Sequence, residues 1–153
     1  MAFDFDICGL KVGDDHPLRL MGVINLSQES FYKNSVIDKD SIVNTAQKMV
    51  DEGATMIDVG GRSTWLLAEN ITKEQETERL LPALEELEGN VDAVISVDTM
   101  FADIAEESLN RGADVVNDVS GFTADSNMVD LVADYGCPAV VMASNKSPGD
   151  PIG

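Results

Sequence analysis

The segment GATMIDVGG, residues 53–61, decides the fold class, because it places a short apolar run with one carboxylate between glycines. The run Met56–Val59 is nearly continuous and contains Ile and Val, which is typical of a strand covered on both faces in a parallel sheet. Four further runs of this kind predict four more buried strands: Leu20–Ile24, Ala93–Val97, Val115–Val119 and Ala139–Met142.

The intervals between these runs carry apolar residues at helical spacing. Thr72 and Gln75 have the spacing of a capping box before the second predicted helix, and Pro82 is expected to kink that helix. Asp125 or Ser126 is the expected N-cap of the last helix. A glycine, which favours helix C-termini, follows three of the predicted helices: Gly53, Gly112 and Gly136.

Strand and helix alternate along the whole chain, which predicts an α/β fold with right-handed crossovers. Periodicity alone does not separate an open doubly wound sheet from a closed barrel. A closed eight-stranded barrel needs about 250 residues, so these 153 residues would supply somewhat more than half of one. We predict one domain over 1–153, with β/α units over 18–153. An N-terminal hairpin over 1–17 precedes them, indicated by the segment Phe3–Val12 with a turn signal at Gly13–Asp15.

Composition excludes several classes of protein. The chain has 10 Lys and Arg against 28 Asp and Glu, a formal net charge of −18, which argues against broad binding of nucleic acid or of an anionic membrane. No apolar run approaches the roughly 20 residues that cross a bilayer. Cys8 and Cys137 form neither a disulfide framework nor a zinc pattern, and we expect a cytoplasmic protein. An anionic substrate would need a few local cations or a metal.

Short polar side chains lie at or near the ends of four predicted strands. They are Asn25, Asp58, Asp98 and Asn117. Ligands of parallel α/β proteins bind at the carboxyl ends of the strands, so these groups are expected to meet at one rim. Carboxylates accept paired N–H groups and carboxamides both donate and accept, which suits a planar, polyfunctional heterocycle. His16 precedes the first core strand, so we expect it at the opposite rim with a structural role.

Four ordered motifs contain these residues. They are Met21–Asn25 with Glu29–Phe31, Gly53–Gly61 with Ser63 and Thr64, Ile95–Thr99, and Gly112–Gly121. In this order and spacing they resemble the signatures of the dihydropteroate synthase family over almost the whole chain. The resemblance implies a TIM-type (β/α)8 barrel, of which the chain would hold about the first five strands.

The resemblance also implies an activity and its site. The family joins a dihydropterin methyl diphosphate to an arylamine, p-aminobenzoate or a related one, and releases pyrophosphate in folate biosynthesis. By resemblance Asp98 and Asn117 bind the pterin ring, Asp58 supports them and Met142 lines the pterin slot. Asn25 would contact the diphosphate and its Mg²⁺, and Ser63 and Thr64 belong to a ligand-contacting loop.

Two loops depart from the family pattern. Loop two usually reads Gly-Gly-Glu-Ser-Thr-Arg-Pro-Gly, whereas Arg62 stands here in place of the Glu and Trp65 in place of the Arg. Loop one usually ends Asp-Gly-Gly, whereas Lys33–Ser35 occupies that region. Our hypothesis is that Arg62 or Lys33 supplies the missing cationic charge beside the diphosphate.

The family's catalytic Lys and Arg-X-His come from later strands, which this sequence does not contain. We therefore expect either a piece of a longer enzyme or two copies that assemble, as a homodimer. Two alternatives stay open: the domain of a pterin-dependent methyltransferase, and a non-catalytic pterin-binding fragment.

Overall fold

The computed structural model describes residues 2–28, 31–33, 36–62 and 71–143. Two short strands come first, β1 (Asp4–Ile7) and β2 (Leu10–Gly13), and a second short pair follows later, β4 (Tyr32–Lys33) and β5 (Val36–Ile37). The main strands and helices are, in chain order, β3 (Leu20–Asn25), α1 (Lys39–Asp51), β6 (Ala54–Gly60), α2 (Lys73–Leu87), β7 (Val94–Asp98), α3 (Ala102–Leu109), β8 (Val115–Asp118), α4 (Met128–Tyr135) and β9 (Ala139–Val141).

The five main strands form one parallel sheet in the order β3-β6-β7-β8-β9. Each strand therefore lies beside the next one in the chain, as in a (β/α)8 barrel. A doubly wound sheet would instead reverse its strand order at a switch point. Strand order thus separates the two arrangements that periodicity left open, in favour of the barrel type.

The two faces of the sheet have different surroundings, because side chains alternate along each strand. Ile57, Val59 and Val97 pack with Leu80 and Leu84 of α2 in the main apolar core. We call this helix-covered side the outer face. The opposite side, the inner face, carries Met56, Val94 and Val115 near the strand starts. Asp58, Ser96, Asp98 and Asn117 share the inner face, since each lies two or four residues beyond one of these three.

The N-terminal hairpin, β1 with β2, packs against the inner face at the start of the strands. Ile7 and Leu10 contact the cluster of Met56, Val94 and Val115. The expected hairpin is present and turns at Cys8 and Gly9, whose φ angles are 51° and 90°. Two consecutive positive φ angles match the twist of the flanking strands. The chain turns again after it at Asp14 and Asp15, as expected, where the His16 N–H donates to the Gly13 carbonyl oxygen at 3.2 Å.

Gly13 allows two backbone segments of the hairpin to approach closely. It is the last residue of β2, with a φ of 145°, and a Cβ at its position would lie 2.0 Å from the Phe3 carbonyl oxygen. The glycine therefore permits a close backbone approach that any side chain would block. Cys8 is an unusual turn residue, and composition gave no indication of it.

Helix α2 begins with the expected capping box. The Gln75 N–H donates to the Thr72 hydroxyl oxygen at 3.2 Å, and the Thr72 N–H donates to the Gln75 side chain at 2.9 Å. The helix continues through Pro82 to Leu87 without interruption. Burial of Leu80, Leu84 and Leu87 stabilises it on both sides of the proline.

The expected cap of α4 is wrong. Its N-cap is Asn127, which makes no side-chain cap bond. Asp125 instead accepts the N–H of Ala102 at 2.9 Å and that of Asn127 at 3.0 Å. One carboxylate therefore satisfies the first N–H of α3 from a distant segment, a tertiary contact that local sequence does not reveal.

No helix in the described part of the chain is long and apolar enough to cross a membrane.

Candidate functional site

The register of the sheet aligns four residues in one row at the carboxyl ends of the strands. Asn25 pairs with Gly60, Gly60 with Asp98, and Asp98 with Asn117. Asp58 lies one step earlier on the same face, paired with Ser96. The structure thus brings Asn25, Asp98 and Asn117 to one edge, which we call the rim, with Asp58 directly beneath it.

Asp58 and Asn117 are in contact across the inner face. The Asn117 amide Nδ2 donates to Asp58 Oδ2 at 3.2 Å, and Asp58 is 4% exposed. Burial raises the pKa of the Asp58 carboxyl, and the hydrogen bond that the Asn117 amide donates to it opposes that rise. Asp58 Oδ1 and Ser96 Oγ have no hydrogen-bond partner among the described residues. Asp58 is therefore buried, and it contacts the rim through Asn117.

Asp98, the acidic residue of the rim, has a strongly raised pKa. Burial, together with the negative charges of Asp58, Glu76 and Asp118, raises the pKa of its carboxyl to about 7. Near neutral pH this carboxyl therefore exists in both protonation states. Strongly perturbed acids of this kind are typical of binding and catalytic sites.

Arg62 follows β6 and is held on α2. Its Nε donates to the Glu76 carboxylate, which is fully buried, and its guanidinium lies 5.4 Å from the centre of the Phe101 ring. Arg79 donates from Nη1 to the Gly61 carbonyl oxygen at 3.0 Å. Helix α2 thus holds the end of β6 through two arginine contacts, and the Arg62 charge is already paired.

Gly61 favours this arrangement, because a side chain at its position would crowd α2. A Cβ at its position would lie 3.1 Å from the Glu76 carbonyl oxygen and 3.2 Å from Glu76 Cγ. The second glycine of the GATMIDVGG segment therefore allows α2 to approach the end of β6 closely.

Lys33 also has an anionic partner. Its ammonium lies 2.8 Å from Asp38 Oδ2, at the small β4-β5 ladder, and this ion pair lowers the pKa of the Asp38 carboxyl. The Tyr32 hydroxyl donates to the Leu26 carbonyl oxygen at 2.8 Å and fixes the ladder beside the first loop. Lys33 itself is largely exposed, so solvent competes for its charge.

Asn25 is oriented by a local turn, since its Oδ1 accepts the Ser27 N–H at 3.0 Å. A carboxamide oxygen has a second lone pair, so this contact leaves room for one cation or donor. The described residues include no cluster of three or more His, Cys, Asp or Glu that could hold a metal ion by itself. A magnesium ion here would need most of its oxygen ligands from a diphosphate and water, which is its usual preference.

Met142 follows β9 and is half-exposed, with its N–H donating to the Asp118 carbonyl oxygen at 3.2 Å. Ser63 and Thr64 lie outside the described residues, as do Glu29 and Ser30 of the first motif. His16 Nε2 lies 3.1 Å from Asp4 Oδ1 of the N-terminal hairpin, and its structural role stays a prediction.

Sequence reasoning missed Ser96 and Glu76. Ser96 lies two residues before Asp98 on a buried strand, so alternation could have placed it on the inner face. Glu76 lies four and eight residues before Leu80 and Leu84, a spacing that puts it on the buried face of α2. Both signals were present in the sequence.

A cavity of about 620 Å³ lies at the opposite end of the strands. It is lined by the hairpin turn, the starts of β6 and β7, and the carboxylates Asp92 and Asp114. Its lining includes none of the rim residues, so it is a separate feature of the molecule.

Comparison with known proteins gives concordant findings. The family model described as "Pterin binding enzyme" matches residues 21–151. The mitochondrial folate synthesis bifunctional protein of Arabidopsis thaliana is 38% identical over 151 residues, covering 93% of this chain and 27% of the relative. The dihydropteroate synthase of Bacillus subtilis is 35% identical over 124 residues, covering 80% of this chain and 44% of the relative.

Solved structures give the same result for the fold. The dihydropteroate synthase of Xanthomonas albilineans, solved with 4-aminobenzoic acid, superposes with a TM-score of 0.79 at 29% identity, over 95% of this chain and 53% of that one. The predicted fold class, the first part of a barrel of this type, is confirmed. The chain spans about half the length of the solved relatives that it matches and less than half of these curated ones.

Proposed function

The chain belongs to the pterin-binding enzyme family, and from that premise we propose that it is the pterin-holding part of a dihydropteroate synthase-like transferase. The proposed reaction condenses a dihydropterin methyl diphosphate with an arylamine, p-aminobenzoate or a related one, and releases pyrophosphate in folate biosynthesis. The relatives named as dihydropteroate synthases support this choice over a methyltransferase.

One observation carries the proposal: Asp98 and Asn117 lie side by side at the rim, with Asp58 beneath them. A pterin ring presents an amino group and a ring N–H along one edge. A carboxylate accepts both in a paired arrangement, and a neighbouring carboxamide supplies a further acceptor. Buried polar groups of this kind reject a wrong ring strongly, because it leaves them unpaired.

The diphosphate side of the proposal rests on Asn25. We propose that Asn25 Oδ1 contributes one ligand to a Mg²⁺ ion that the diphosphate and water otherwise coordinate. When bound, the ion would stabilise the negative charge of the departing pyrophosphate. Ser63 and Thr64 are proposed to contact the diphosphate or the arylamine, and Met142 to line the pterin slot.

Arg62 and Lys33 are weaker candidates for the diphosphate than the sequence suggested. Both charges are already partnered, Arg62 by a buried carboxylate and Lys33 by Asp38. We keep Lys33 as the proposed mobile cation, because its exposed ammonium can exchange partners at little cost. Arg62 is proposed to act on the loop only through its contact with α2.

Two further proposals concern the oligomeric state and the cellular compartment. Apolar residues of the inner face and of its continuation beyond β9 are exposed in this chain, namely Met21, Val23, Val140 and Met142. An uncovered apolar sheet face favours association, and we propose a homodimer. We also propose a cytoplasmic location, which the acidic composition and the two free cysteines support.

The proposed function predicts a pH-dependent affinity for pterin. Asp98 has a pKa of about 7, so below that pH it is a neutral carboxylic acid that no longer accepts two N–H bonds. We expect the affinity for a dihydropterin methyl diphosphate to be about tenfold higher at pH 8 than at pH 6, in proportion to the ionised fraction. Isothermal titration calorimetry of the chain at both pH values measures this change.

Three controls accompany that titration. Absorbance of the free ligand in the same buffers reports the ligand's own titration, and methyltetrahydrofolate in its place tests the methyltransferase alternative. Pyrophosphate released on adding arylamine separates an enzyme from a non-catalytic binding fragment. An affinity that is independent of pH, or tighter binding of methyltetrahydrofolate, would contradict the proposal.

A further inference from the structure

The contact between Asp58 and Asn117 determines more than the position of either residue. In the structure the NH₂ group of Asn117 faces Asp58, with Nδ2 donating to Oδ2 at 3.2 Å, and a carboxylate at residue 58 can accept from this group. The carbonyl oxygen, Oδ1, is bonded to the same carbon and must then point away from Asp58. The chemistry of the pair therefore decides which way round the Asn117 amide lies.

We propose that Asp58 is a positioning residue that fixes the Asn117 amide with its carbonyl oxygen toward the ligand, and thereby selects a 2-amino-4-oxo ring over a 2,4-dioxo ring. This inference rests on the proposed function for its ligand but not for its geometry. It also differs from the role that the resemblance implies, in which Asp58 supports ring binding without a defined action.

Burial supports this indirect role. Asp58 is 4% exposed and pairs in register with Ser96, which is fully buried. Asn117 is only partly buried and pairs with Asp98 in the row above. A ligand at the rim therefore meets Asp98 and Asn117, while Asp58 acts on it only through Asn117.

The orientation of one amide decides the pattern that the rim presents. With Oδ1 of Asn117 turned toward the ligand, the rim offers acceptors from both Asp98 and Asn117. An edge that bears an amino group and a ring N–H supplies the matching donors. A ring with a carbonyl in place of the amino group would set two oxygens against each other and leave buried acceptors unpaired, which is strongly unfavourable.

The substitution Asp58→Asn tests the inference, because an amide at residue 58 can donate as well as accept. Asn117 can then lie either way round. We expect the ratio of affinities for 6-hydroxymethylpterin and its 2,4-dioxo analogue to fall at least tenfold, through weaker binding of the pterin. Asp92→Asn makes the same chemical change at an exposed site at the opposite end of the strands, and should leave the ratio unchanged.

Nuclear magnetic resonance of the ligand-free chain tests the geometry separately, at pH 8. In the unsubstituted protein, the Asn117 side-chain NH₂ should show one proton with slowed exchange, at least tenfold slower than in a free amide. In Asp58→Asn this protection should fall, and in Asp92→Asn it should persist. The first of these measurements needs no variant, so it remains decisive if Asp58→Asn fails to fold.

The outcomes separate the inference from the proposed function. Unprotected Asn117 amide protons in the unsubstituted chain, or an unchanged ligand ratio in a folded Asp58→Asn, would overturn the positioning role. A protected Asn117 amide in a chain that binds neither ring would support the geometry and contradict the proposed function instead.

Discussion

The substitution Asp98→Asn is expected to weaken pterin binding by about 100-fold or more. The reason is the loss of a carboxylate that accepts two N–H bonds, because an amide of the same shape accepts one and places an N–H donor against the other. Calorimetric titration at pH 8, where the native carboxyl is ionised, measures the loss. The same change at the exposed Asp103→Asn serves as the matched control and should have no effect.

The same substitution should stabilise the ligand-free protein at high pH. The pKa of Asp98 is raised from 3.8 to about 7 in the folded state, so the folded protein holds this proton more tightly than the unfolded chain does. The contribution of Asp98 to stability is therefore lost as pH rises from about 4 to 7. We expect Asp98→Asn to raise the free energy of unfolding by about 1–2 kcal/mol at pH 8, allowing for solvent screening, and by nothing below about pH 4.

Urea denaturation at pH 4 and pH 8 measures this difference. A variant that lost affinity and stability together at pH 8 would mean that Asp98 supports the fold rather than a binding site. Gain of stability with loss of binding is the pattern expected of a site that keeps a costly charge for its ligand.

The substitution Arg62→Met is expected to lower the free energy of unfolding by about 3 kcal/mol. It leaves the fully buried Glu76 carboxylate without its cation, and an unpaired buried charge is strongly unfavourable. The Met side chain retains much of the apolar contact with the Phe101 ring. Urea denaturation at neutral pH measures the change.

Two comparisons make this second prediction specific. Arg111→Met breaks an exposed ion pair with Glu85, at 3.2 Å, and should change stability by no more than about 0.5 kcal/mol. The double change Arg62→Met with Glu76→Gln leaves no unpaired charge at residue 76, so it should recover part of the loss. Equal effects of Arg62→Met and Arg111→Met would show that the buried pair contributes no more than a surface one.

Much of the fold is predictable from the sequence, because local and long-range preferences agree. The five apolar runs become the five strands of the sheet, and the Thr72 and Gln75 capping box starts α2 as its spacing indicates. Strand order could not be predicted from these local signals. It depends on which strands pair, and the barrel type followed from resemblance to a family rather than from periodicity.

The errors in the fold arise where distant segments meet. Asp125 was expected to cap α4, but its carboxylate binds the N–H groups of Ala102 and Asn127. The turn inside the hairpin, at Cys8 and Gly9, was not predicted, because Cys-Gly is not one of the residue pairs that typically mark a two-residue hairpin loop. Neither the hydrogen bonds of Asp125 nor the turn at Cys8 and Gly9 has a local sequence signal.

The candidate site was predictable in part. Asn25, Asp98 and Asn117 could be placed at one edge because parallel strands bring their carboxyl ends together. The pairing of Asn117 with Asp58 could not be foreseen, since it depends on register between strands that are 59 residues apart. The pairing of Arg62 with Glu76 likewise could not be foreseen, since it depends on the packing of α2 against the end of β6.

The most direct test of the central claim, that the rim binds a pterin ring, is to map the ligand onto the chain by nuclear magnetic resonance. A dihydropterin methyl diphosphate is titrated into the labelled protein at pH 8, with side-chain signals of Asp98 and Asn117 observed. We predict that these two residues and Asn25 show the largest shift changes. Shifts confined to the cavity at the opposite end, around Cys8 and Asp114, with none at Asp98 or Asn117, would contradict the account.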